Sequence, residues 1–102
     1  MKKLFIAAFM FVSSFGTNVM ADGHAIKMGI ILGFTGPIES LTPAMAASAE
    51  LAFKEASDSG SLLGGKKIEV VRADSTCVDS AAATAAAEGV ISQGVAAIMG
   101  AD

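Results

Sequence analysis

Few residues in this 102-residue chain have the chemistry to act as a nucleophile, an acid–base group or a metal ligand. Cys77 is the only cysteine and His24 the only histidine. A cysteine nucleophile needs a base to take its proton, and the sole imidazole sits more than fifty residues away in a segment read as a solvated tail. A redox centre would call for C-x-x-C, which is absent. Half of a structural disulfide is the reading favoured for an exported chain, with a half-buried free thiol as the alternative. Asp74 and Asp79 flank the cysteine, and their types suit a turn and a helix cap better than an acid–base pair. A metal site would need several ligands close together, and the sequence offers none.

The glycine spacings do not fit a phosphate-binding loop. Gly29, Gly33 and Gly36 are spaced by four and three, which is not G-x-G-x-x-G, and Gly64-Gly65-Lys66-Lys67 lacks the Ser or Thr of a phosphate loop. No catalytic residue and no cofactor is therefore assigned. A helix N-terminus after Gly36 would still offer free N–H groups to a carboxylate or another anion.

These residues need elements to hold them. Residues 1–21, MKKLFIAAFMFVSSFGTNVMA, open on Lys2 and Lys3, continue as the apolar run Leu4–Val12 and end on Val19-Met20-Ala21. That is the pattern of a signal peptide cleaved after Ala21. The apolar run is well short of the ~20 residues a membrane span requires. From residue 22 onward five basic residues face ten acidic ones, a net charge of −5. A nucleic-acid surface or an anionic-lipid dock needs clustered Lys and Arg, so both are excluded. The remaining 81 residues hold no Trp or Tyr and only Phe34 and Phe53 as aromatics, a marginal core for one small domain.

Residues 26–32, IKMGIIL, read as a buried strand. GFTGP then turns, and Thr42 as cap with Pro43 in the first turn predicts a helix. Met45, Ala49, Ala52, Phe53 and Ala56 form its apolar stripe, Glu50 pairs with Lys54 on the outer face, and Gly60 ends it. Residues 67–73 read as a second strand. Asp79 caps a second helix over 80–93, with Ala83, Ala87, Val90 and Ile91 facing inward. Residues 95–99 make a third strand. The order β-α-β-α-β predicts an α/β fold with a parallel open sheet, half of a doubly wound domain, with ligand beyond the carboxyl ends of the strands.

In sequence, IKMGIILGFTGP, the alanine-rich helix, GGKKIEVVRAD, STCVDSAAA and VAAIMGAD together resemble the opening of a periplasmic branched-chain amino acid-binding protein. Such proteins are substrate-binding components of ATP-driven importers with the type I periplasmic-binding fold. The resemblance implies that residues 22–102 are the first part of an N-terminal lobe. It implies that Cys77 forms a bridge with a cysteine just beyond Asp102. It points to Glu39, Ser40 and Leu41 as ligand-binding residues of the cleft, with most contacts beyond Asp102. Amino-acid binders in the family often carry an aromatic residue where Leu41 stands, and relatives take amides, urea or aromatic acids. The implied partners are a small polar ligand and membrane permease subunits. The implied location is the periplasm. By itself the 81-residue segment is expected to fold with poor cooperativity and to show no measurable affinity for amino acids. A small exported α/β hydrolase and a ligand-binding receptor domain are the alternatives. The first would need a G-x-S-x-G elbow, which is missing here.

Overall fold

The computed structural model describes residues 25–101. Its elements run β1 (Ile26–Leu32), α1 (Thr42–Asp58), a 3-10 turn (Leu62–Gly64), β2 (Ile68–Asp74), α2 (Ser80–Ser92) and β3 (Ala97–Met99). The sheet has the order β2-β1-β3 and every pairing is parallel. Ile26 lies opposite Ile68 and Leu32 opposite Asp74, while Met28 to Ile30 face Ala97 to Met99. This is the expected α/β fold with a parallel open sheet.

β1 is apolar except for Lys27, and its buried half, Gly29–Leu32, is covered on both faces because the strand is central. Ile30 and Leu32 point to one side and pack with Ala46, Phe34, Ala49, Phe53, Val70 and Met99. Gly29, of opposite parity, faces α2: a Cβ there would lie 3.2 Å from Ile98 and 3.4 Å from Val90. α1 and α2 thus cover opposite faces of one strand.

Several local expectations are corrected. Thr42 does not cap α1. The N-cap is Leu41, which makes no side-chain cap bond, while the buried Thr42 hydroxyl donates to the Gly33 carbonyl at 2.9 Å. The hydroxyl thereby satisfies a buried loop acceptor, and leaving that acceptor bare would cost about 1–3 kcal/mol. The buried stripe of α1 is rotated from the one expected. Thr42, Ala46 and Ser57 are buried, whereas Met45 is 46% exposed and Ala52 is also exposed. Ser57 explains part of the rotation, since its hydroxyl oxygen accepts from the Ile68 N–H at 3.0 Å where β2 begins.

The Glu50–Lys54 pair does not form. Glu50 accepts two bonds from Arg72 on β2, Nε to Oε1 at 2.6 Å and Nη2 to Oε2 at 2.8 Å. Lys54 pairs with Asp58. The forked guanidinium matches a carboxylate geometrically, as a lysine cannot, and it also lies over the Phe34 ring at 5.4 Å. Both partners of the Glu50–Arg72 pair are partly exposed, so it contributes no more than about 1 kcal/mol. In α2, Val90 is buried but Ile91 is 61% exposed. β2 is shifted by one residue and β3 is shorter than expected, although the Ala96 N–H still donates to the Lys27 carbonyl at 2.8 Å. The reading of Gly60 holds: it takes φ +70° just past α1.

Removing the Ile30 side chain beyond Cβ (Ile30→Ala) should cost about 2–5 kcal/mol. Ile91→Ala should stay within about 0.5 kcal/mol despite the same chemistry. Urea unfolding midpoints of the two variants check this contrast, and equal losses would contradict the burial pattern.

Candidate functional site

In an open parallel sheet, ligands collect beyond the carboxyl ends of the strands. Here that edge carries residues 33–41 after β1, residues 75–79 after β2, and Gly100-Ala101 after β3. The first two loops are tied together by one carboxylate. Asp74, the last residue of β2, accepts at Oδ2 from the Thr35 hydroxyl at 2.6 Å. Its Oδ1 accepts from the Thr35 N–H at 3.2 Å and from the Thr76 N–H at 2.9 Å. The Thr76 bond is the local Asp turn read from the sequence, and the Thr35 bonds add a link across 39 residues. The Thr35 hydroxyl, followed by the backbone N–H donors, holds the Asp74 carboxyl below the usual carboxylate range.

Two glycines make this approach possible. A Cβ on Gly33 would lie 2.9 Å from the Cβ of Cys77. Gly36, at φ +98°, would place one 2.5 Å from the Thr76 carbonyl oxygen. Past Asp74 the chain enters the left-handed region twice, with Thr76 at φ +61° and Cys77 at φ +66°. Neither residue is glycine, so the turn is strained by about 1–3 kcal/mol per residue. The Thr76 hydroxyl oxygen is also shut off from solvent without a hydrogen-bond partner among the described residues. The Asp74 bonds and the Ser75 N–H, which donates to the Leu32 carbonyl at 3.0 Å, oppose that strain. Asp79 caps α2 as expected, accepting from Ala81 N–H at 2.8 Å and Ala82 N–H at 3.3 Å.

Glu39 and Ser40 lie in the exposed turn before α1, and Leu41 is 60% exposed at its N-cap. Cys77 is half-buried on the neighbouring loop. An open depression of about 330 Å³ beside it is lined by Ser75, Cys77, Val78, Asp79, Ser80 and Ala83. Glu39, Ser40 and Leu41 do not line it. His24 and the predicted signal peptide fall outside the described residues. Among the described residues no group of three or more His, Cys, Asp or Glu could hold a metal ion. None of their helices is long and apolar enough to cross a membrane. The sequence reading missed Thr35 and Arg72. The Asp-Ser-Thr turn marks Asp74 locally, but nothing near Thr35 in sequence marks its partner.

Two helices flanking a parallel sheet, with loops tied together at its carboxyl edge, define a parallel α/β unit. A family model described as periplasmic binding protein matches residues 25–102, and the chain belongs to that family. No curated protein matches the chain. The family implies binding of a small molecule, work with transporter components and a periplasmic location, and it is typically non-enzymatic.

The lowered Asp74 pKa fixes a pH dependence. Its folded value lies below the unfolded value of about 4, so its contribution is complete above that value. It is lost as pH falls through the lower folded one. Hydrogen-exchange protection at Thr35 and Thr76 should fall in this acid window, and Asp74→Asn should remove the pH dependence. The same acid-dependent loss of protection in the variant would contradict the clamp.

Proposed function

We propose that the protein captures a small polar ligand, a branched-chain or other amino acid or an amide- or urea-like compound, and delivers it to the permease of an ATP-driven importer. The single observation behind this is the family match over residues 25–102 on a sheet whose carboxyl-edge loops are locked together. Capture would work by closure on the ligand, favoured by contacts made only in the closed state. Glu39, Ser40 and Leu41 contribute to the cleft from the turn after β1. Their exposure supports this, since they spend no contacts on the core. The uncapped start of α1 beside them suits a carboxylate or another electron-rich group. The protein does no chemistry on the ligand.

Residues 1–21 direct export and are removed after Ala21. Cys77 is half of a bridge to a cysteine that follows β3. Its place at the same edge of the sheet as Gly100 supports that pairing.

Isothermal titration of the exported protein as the cell makes it, and not of residues 22–102 alone, with leucine, valine, acetamide and urea should find one class that binds. Ser40→Ala and Leu41→Ala should each weaken it by about tenfold, or 1.4 kcal/mol. Unaltered affinity in both variants would remove this turn from the site, and no binding by any class would overturn the ligand assignment. Mass spectrometry of the exported protein, alkylated without reductant, should give Asp22 as first residue and an unmodified Cys77. A retained Met1 would refute cleavage, and an alkylated Cys77 would refute the bridge.

A further inference from the structure

The amino-terminal end of the sheet carries a second concavity, away from the loops that meet ligand. It has a volume of about 390 Å³ and its lining exposes no polar surface. Ile26 and Met28 of β1, Ile68 of β2 and Phe53 of α1 form its floor and one wall. The 3-10 turn supplies Leu62 and Leu63, and Leu63 is 65% exposed at φ +45°. A small polar ligand needs convergent polar groups to orient it, so this groove is not a second substrate site. It is suited to apolar side chains.

We propose that the groove receives the chain's own apolar run, Leu4–Val12, while residues 1–21 are still attached. Three observations carry this. The first is where the chain enters: Ile26 lines the groove, so residues 1–24 join the described structure at its rim. The second is reach. Thirteen residues separate Val12 from Ile26, an extended span of up to about 45 Å, ample for the run to fold back. The third is chemical match. The run contains Leu4, Phe5, Ile6, Phe9, Met10, Phe11 and Val12 and no charged residue, and the groove offers apolar surface alone. Burying that surface is favourable in proportion to its area. Cleavage after Ala21 would remove the occupant and leave the groove open, so the uncleaved and cleaved chains present different surfaces.

The test is site-specific photo-crosslinking in the uncleaved protein, with Leu63→p-benzoylphenylalanine at the groove and Glu88→p-benzoylphenylalanine on the outer face of α2 as control. Position 63 should cross-link to peptides from residues 4–12 at least fivefold more than position 88. The ratio should hold across a tenfold dilution and collapse in a Phe9→Asp, Phe11→Asp double variant. Equal yields from the two positions, in protein whose β1 amides are protected from hydrogen exchange, would overturn the proposal. Cross-links joining two chains and fading on dilution would also overturn it, in favour of a second copy as occupant.

Discussion

The structure depends on the desolvation of one strand. β1 has a parallel neighbour on each side and a helix over each face, so its second half, Gly29–Leu32, leaves water. Such a strand cannot alternate polar and apolar residues, and it must pass its backbone hydrogen bonds to both neighbours. The register of β2 and β3, the packing of α1 through Ala46 and that of α2 through Val90 all follow from covering it. Small side chains matter for the same reason. Gly29 lets Val90 and Ile98 close over the strand, and Ala46 lets α1 settle onto Ile30 and Leu32.

That packing fixes where β1 and β2 end, and so where their loops begin. Asp74 lies opposite Leu32, which places its carboxylate beside the loop that follows β1. Thr35 then needs no long reach to meet it, and the glycines at 33 and 36 admit the neighbouring backbone. The strain at Thr76 and Cys77 is held by the local Asp74–Thr76 bond and by bonds to Thr35 and Leu32 that exist only when both strands are in register. The loop arrangement at the carboxyl edge is thus a consequence of strand pairing, and a one-residue slip would dismantle it.

The strands and the fold class were legible because a buried β1 leaves an unmistakable apolar run and Asp79 leaves a local capping pattern. The β-α-β-α-β order followed from the alternation alone. What could not be read was choice among partners of equal local merit. Glu50 has Lys54 one turn away, yet it bonds Arg72, because the second strand brings a fork-shaped cation to it. Thr42 looks like a cap, yet a buried carbonyl claims its hydroxyl. Ile91 looks like core, yet α2 turns Val90 inward because Gly29 leaves room there. Each error concerns a contact made outside the element itself, which spacing within one element does not encode. The clamp between Asp74 and Thr35 was half legible for the same reason: its Thr76 bond is local and its Thr35 bonds are not.

The parallel register also sets an order of events in time. β1 is the first of these strands to be synthesised, but Ile26 finds its partner only at Ile68 and Met28 meets β3 only at Ala97. No tight hairpin can satisfy it early, since parallel strands need a crossover between them. Contacts this distant in sequence must overcome loop-closure entropy before they repay it, so such a sheet assembles slowly. During that interval IKMGIIL is an unpaired apolar strand, the kind of segment that sticks to its neighbours. The strand that makes the finished sheet secure is therefore its chief liability while the chain is being made.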